Sequence, residues 1–184
     1  MACIHGRFII AHGKFVLGRE KLVDITFEQI VSVLMGATQQ TFLNYMGIEL
    51  ITGEVEKRVT PVDSDITGIV GVAGDRVGYI LVTTNSQTAR TIARELLMEE
   101  DADEECIRDA VGELTNNIAG CLKSEYHEQY GGVALGLPLV VSGRLRMMGD
   151  NTDDNTSINI QCKGVTIPFS TADGNIHLKV MIYM

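Results

Sequence analysis

Asp109, Glu113 and Asn116 recur at intervals of four and three residues, so on a helix they form one continuous polar stripe. Gly120 extends that stripe by another turn and leaves the surface low. A carboxylate can dock onto a cation. A neutral amide has no useful protonation and so cannot act as a general base, but it can donate and accept hydrogen bonds and hold a water in a fixed position. Asn117 lies about 40° round an ideal helix from Glu113 and is a second candidate for that role. Taken alone, such a stripe is equally an ordinary solvated helix face, and Gly120 equally a helix–helix contact.

The element that must position these residues is a helix running from about Glu104 to Gln129, stopped by Gly131-Gly132. Ile107, Val111, Leu114, Ile118 and Leu122 give it a continuous apolar side. The acidic run from Glu99 to Glu105 precedes it and suits the positive end of the helix dipole. Upstream, a helix is expected over about Ile25–Met46, with Phe27, Val31, Leu34, Thr38, Phe42 and Tyr45 on one side and Gly47 as its stop. Strands are expected over about Ile48–Val59, Ile66–Ala73 and Val77–Thr83, the last two forming a hairpin. A short helix capped by Asn85 or Ser86 follows, its apolar face made by Ala89, Ile92, Ala93, Leu96 and Leu97.

After the long helix, strands are expected at about Leu139–Met148, Ser157–Cys162 and Asn175–Met184. The last alternates, with Ile176, Leu178, Val180 and Ile182 on one face and His177, Lys179 and Tyr183 on the other. The loop Gly149–Thr156 lacks the glycine and the bidentate glutamate of a calcium loop and reads as an ordinary polar connection. Each half is therefore a long helix, a glycine stop and three strands. That order predicts an α+β domain of two pseudo-symmetric halves, with long helices packed on an antiparallel sheet.

Composition bounds the rest. With 184 residues, 45% of them hydrophobic, the chain is long enough for one domain with a real core. A net charge of −9 argues against binding a nucleic-acid backbone. No apolar run reaches the roughly 18 residues of a membrane span. Cys3, Cys106, Cys121 and Cys162 form no C-x-x-C pair and read as reduced thiols of a cytoplasmic protein. His5, His12, His127 and His177 have no nucleophile or carboxylate at telling spacing. Residues 1–22 read as an N-terminal extension, either two short strands around His12-Gly13 or a loosely held arm, and 23–184 as a single domain.

The pattern Asp109-x3-Glu113-x2-Asn116, with Pro138 downstream, resembles the signature of the CheC/CheX/FliY family of CheY-P phosphatases. The I-A-G after the asparagine pair is similar too, as are the stretch D-I-T-G-I-V-G-V-A-G-D-R-V-G and the closing I-P-F-S-T-A-D-G run. Within the family the chain looks most like the CheX branch. The first helix offers Ser32, Gly36, Gln39 and Gln40 in place of a Glu-x-x-Asn pair, which resembles one site per subunit. Pro138 falls 22 positions after Asn116, one fewer than the family pattern.

The resemblance implies a protein aspartyl-phosphate phosphatase acting on phosphorylated CheY-type response regulators. Glu113 would pair with a lysine of the regulator and Asn116 would position the attacking water. The family register prefers Asn116 to Asn117. Asp109, Gly120 and Pro138 would support the face. No cofactor is expected on this chain, and Mg2+ would belong to the regulator. A homodimer is expected. The alternative is a non-catalytic adaptor that binds a regulator or a flagellar switch component.

Overall fold

A computed structural model gives the structure of the protein, describing residues 10–11, 14–15, 26–57, 64–74, 77–98, 100–130, 133–143, 145 and 164–183. Three helices form where the sequence supplies both an apolar face and a cap. Helix α1 spans Phe27–Met46. Thr26 Oγ1 accepts from the Gln29 amide, and Gln29 Oε1 accepts from the Thr26 amide at 2.7 Å, a reciprocal capping box. Gly47 ends it in the left-handed conformation, φ 66°, its amide donating to the Leu43 carbonyl at 3.0 Å.

Helix α2 spans Ser86–Leu97, with Asn85 Oδ1 accepting from the Thr88 amide at 2.8 Å. Asp65 reaches in from a preceding segment and accepts from the Ser86 amide at 2.7 Å and its hydroxyl at 2.8 Å. These bonds favour the charged carboxylate and hold its pKa below the ordinary value. Helix α3 spans Glu104–Tyr130. Asp103 Oδ1 accepts from the Cys106 amide at 2.8 Å, which lowers the Asp103 pKa in the same way.

Two two-residue strands, β1 (Ile10–Ala11) and β2 (Lys14–Phe15), pair antiparallel in a sheet of their own. The main sheet holds β3 (Ile51–Thr52), β4 (Ile66–Ala73), β5 (Val77–Thr84), β6 (Ala134–Leu135), β7 (Leu139–Ser142), β8 (Gly164–Ser170) and β9 (His177–Tyr183). Its order is β3-β8-β9-β5-β4, with β6 and β7 both on the outer edge of β4, and every pairing is antiparallel.

That order reads the same from either end if the halves are exchanged. Each half contributes an outer strand, a second strand and a central third strand, and each outer strand crosses to pair with the second strand of the other half. The expected pseudo-symmetric α+β architecture is therefore present, and the two halves are interleaved rather than adjacent. Such pairings hold the halves together by backbone hydrogen bonds as well as by the core.

The helices cover one face of the sheet. Leu34 and Phe42 of α1, Ile92 of α2, and Leu114, Ile118 and Leu122 of α3 are buried against Val70, Val72, Ile80, Val82, Val165, Ile167, Leu178, Val180 and Ile182. The buried stripe of α1 also takes in Thr38, whereas Tyr45, expected on that side, is exposed. On the opposite sheet face Leu81 and Met181 are buried with Ile69 and Leu145 beside them.

The strand boundaries hold for β4, β5 and β9 to within two residues and differ for β3 and β7. The strand expected over Ile48–Val59 shrinks to Ile51–Thr52 and an isolated bridge between Glu56 and Thr166. Of the one expected from Leu139 to Met148, β7 takes Leu139–Ser142; Gly143 follows at φ 98° and donates its amide to the Asp65 carbonyl at 3.0 Å, and residues 144 and 146–148 lie outside the described residues. The stretches Ser157–Cys162 and Gly149–Thr156 and the glycine pair 131–132 lie outside the described residues.

Strand β8 was not anticipated because Pro168 interrupts it, and proline lacks the donor a ladder needs. The Pro168 carbonyl accepts from the Gly53 amide at 2.8 Å, so its backbone nitrogen faces the same side, just past the end of β3. The missing N–H falls between the paired residues of β3 and the Glu56–Thr166 bridge.

Candidate functional site

Asp109, Glu113 and Asn116 are all exposed on α3, on the side away from the buried stripe Ile107, Val111, Leu114, Ile118 and Leu122. Among the described residues neither carboxylate is held by an ion pair or a side-chain hydrogen bond. Gly120 continues the face, and a Cβ placed on it would meet nothing within 4 Å. The stripe read from the sequence is thus a bare, open strip along one helix.

The two asparagines part company. Asn116 points to solvent, whereas Asn117 is half-buried and its Nδ2 is enclosed with no hydrogen-bond partner among the described residues. One residue is 100° of helix, which is enough to turn Asn117 off the strip and toward the buried side.

Helix α3 is seated on the sheet by small residues. Gly68 of β4 lies directly under Thr115, where a Cβ would collide with the threonine side chain and come within 3.1 Å of the Val111 carbonyl. Thr115 Oγ1 donates to that same carbonyl at 2.6 Å, so its hydroxyl is satisfied despite full burial. A Cβ on Gly112 would be 3.2 Å from Val140 Cγ2 of β7. These contacts set the height and rotation of α3, and with them the direction in which Glu113 and Asn116 project. The sequence reading passed over Gly68 and Gly112. The signal for Gly68 was an isolated glycine in a Val/Ile-rich strand, which marks close backbone approach.

Pro138 belongs to a bulge. Leu135 is opposite Val72 and Leu139 opposite Ile69, so the three residues Gly136–Pro138 face only two on β4. Strands β6 and β7 are one edge strand with an extra residue inserted. The Gly136 amide donates to the Gly71 carbonyl at 2.8 Å and pins the bulge to the sheet. Pro138 is exposed on it, as is Leu137. An unpaired bulge position is where a proline costs the sheet no ladder bond.

The first helix carries the mirror position. The N-caps Thr26 and Asp103 match, as do the buried threonines Thr38 and Thr115, each donating to the carbonyl four residues back. In that register Ser32, Gly36 and Gln39 stand where Asp109, Glu113 and Asn116 stand on α3. Gln39 is committed, its Nε2 donating to the Leu50 carbonyl at 3.2 Å and to Thr52 Oγ1 at 3.4 Å. A Cβ on Gly36 would lie 3.6 Å from a Glu125 carboxylate oxygen. At these three positions α1 therefore has neither the carboxylate nor a free amide.

The α3 strip is convex. A cavity of about 420 Å³ between β5, β8 and β9, lined by Ser64, Thr83, His177 and Lys179 among others, takes no residue from it. Nor does one of about 590 Å³ along α1, lined by Ser32, Gly36 and Gln39 among others. Among the described residues no group of three or more His, Cys, Asp or Glu is placed to hold a metal ion. Cys106 and Cys121 are not joined in a disulfide. No helix among the described residues is long and apolar enough to cross a membrane. A convex strip bearing the carboxylates of Asp109 and Glu113 and the amide of Asn116 suits a substrate that brings its own concave site.

Known proteins resemble this chain in sequence and in fold. The sequence model of the family described as "Chemotaxis phosphatase CheX" matches residues 66–170, from the start of β4 to the end of β8. CheY-P phosphatase CheX of Thermotoga maritima is 27% identical over 161 residues, covering 83% of this chain and 96% of that protein. The crystal structure of a chemotaxis protein CheX from Desulfovibrio desulfuricans superposes with a TM-score of 0.68 at 22% identity, covering 85% of this chain and 99% of that one. A chain of the CheX–CheY–BeF3–Mg2+ complex from Borrelia burgdorferi does so with a TM-score of 0.64 at 22% identity, covering 84% and 96%.

Proposed function

This chain belongs to the CheX family of chemotaxis phosphatases, and on that premise we propose that it hydrolyses the aspartyl phosphate of a CheY-type response regulator. The observation that carries the reading is the free Glu113–Asn116 pair on a convex helical strip. The regulator supplies the concave site and its phosphoryl group, and α3 is the probe that enters it.

Glu113 docks, its carboxylate pairing with a lysine ammonium of the regulator. Asn116, one turn on, reaches the phosphoryl group with its side-chain amide and holds a water in line with the phosphorus. The water oxygen bonds to phosphorus as the bond to the aspartyl oxygen breaks. The aspartate leaves as carboxylate, inorganic phosphate is released, and a proton of the water passes to the phosphate. Phosphoryl transfer asks for positioning and charge neutralisation more than for covalent help. Mg2+, present in the related complex with CheY, is held by the regulator in this reading. Asp109 supports the strip from its N-terminal side, and Gly120 lets the regulator backbone approach.

Residues 23–184 form the working unit, with 1–22 as an extension. It acts in the cytoplasm as a homodimer paired through sheet edges. Sedimentation at micromolar concentration tests the dimer, and a monomer there would refute it.

The deciding assay is phosphate release from a phosphorylated CheY-type regulator. Wild-type protein accelerates it, and Asn116→Ala lowers kcat at least about a hundredfold while still binding the regulator. Wild-type turnover from Asn116→Ala would overturn the mechanism. Binding without any turnover by the wild type would make the chain an adaptor.

A further inference from the structure

The bulge on the edge strand does something that neither the ladder nor the core requires: it turns Leu137 outward. Leu137 is 91% exposed, although Leu135, two residues earlier, packs on the main core. An inserted residue switches side-chain parity along a strand, and bulges re-aim side chains in this way. The exposure is built in rather than loose, because the Gly136 amide is bonded to Gly71 on one side and Leu139 is paired with Ile69 on the other.

Its place along the helix follows from the register. Val140 stands beside Gly112. From Gly112 the helix runs on to Tyr130, and the chain comes back along it through β6. Walking back from Val140 to Leu137 therefore moves toward the C-terminal end of α3. Three strand residues cover about 10 Å, which equals about six or seven helical residues. Leu137 is thus level with the turn Asn116–Gly120, on the flank of the strip that Gly112 marks.

We propose that Leu137 is an apolar docking contact for the phosphorylated regulator, a knob fixed beside the strip that engages the partner while Glu113 and Asn116 enter its active site. This deepens the function proposed above and rests on it. The occupant is the regulator and not a second copy of this chain, because Leu137 continues the strip that must enter the regulator. A fixed apolar knob adds affinity without ordering a flexible side chain or loop on binding. It touches no reacting atom, so it acts on association alone.

The test is steady-state turnover of a phosphorylated CheY-type regulator, with binding to the beryllofluoride-activated regulator measured in parallel. Leu137→Ser raises KM and Kd roughly tenfold with kcat unchanged, and Leu137→Met restores wild-type values. Leu43→Ser, at an exposed leucine on α1, changes neither. An unchanged KM in Leu137→Ser, or a fall in kcat alone, overturns the docking role. Asn116→Ala run alongside separates the two readings. If it abolishes turnover while Leu137→Ser matches wild type, the phosphatase stands and the knob falls. Circular dichroism verifies that each variant is folded, and this is undemanding at a position that contributes nothing to the core.

Discussion

Gly68 and Thr115 form the closest fit between the sheet and the helix that carries the site: the threonine occupies the space a Cβ at position 68 would need. Gly68→Ala must push α3 away from β4. The expected cost is about 1–3 kcal/mol of stability, read from urea denaturation. The displaced strip also loses turnover, with binding and kcat falling together because Glu113 and Asn116 move as one body.

Asn117 gives a prediction of opposite sign. Its enclosed Nδ2 has no partner among the described residues, and an unpaired buried donor costs about 1–3 kcal/mol. Asn117→Leu keeps the size and removes the donor. It should leave stability unchanged or raise it by about 1 kcal/mol, with phosphate release retained. A loss of turnover as large as that of Asn116→Ala would return Asn117 to the water-positioning role.

The helix caps contribute to the acid sensitivity of the fold. Asp65 and Asp103 both have pKa values below the ordinary 3.8 because backbone amides, of Ser86 and Cys106, donate to them. A depressed folded-state pKa means the contribution is complete above the unfolded value and is lost as pH falls through the folded one. Stability should be flat from neutral pH down to about 4 and decline below it. Asp65→Asn and Asp103→Asn should each make that decline shallower in thermal melts between pH 5 and 2. An identical slope in both would rule the caps out as its source.

The cap of α2 is open to a direct measurement. Asn85 accepts from the Thr88 amide at 2.8 Å, and Asn85→Ala should cost about 1 kcal/mol. Asn85 is not part of the α3 strip, so kcat at a permissive temperature is expected to stay as in the wild type.

What could be read along the chain was whatever depends on neighbours in sequence. The capped helices, the apolar stripe of α3, the alternation of β9 and the polar strip Asp109–Glu113–Asn116 all follow from periodicities of a helix or strand. The absence of a Glu/Asn pair on the first helix was legible for the same reason. Strand β8 was not, because Pro168 is acceptable only where β3 happens to end, and that is a fact about another part of the chain.

The orientation of the site was settled only in three dimensions. The sequence puts Asn116 on the polar strip but leaves Asn117, about 40° from Glu113 on an ideal helix, as a second candidate, and only the packed helix encloses the Asn117 Nδ2. The rotation of α3 decides it, and that rotation is fixed by Gly68 and Gly112 against Thr115 and Val140. The same holds for Pro138. Its place 22 residues after Asn116 is a number in the sequence. That it lies in an edge-strand bulge, with Leu137 turned outward beside it, depends on the register of β6 and β7 on β4, a pairing between segments some 65 residues apart that no local preference encodes.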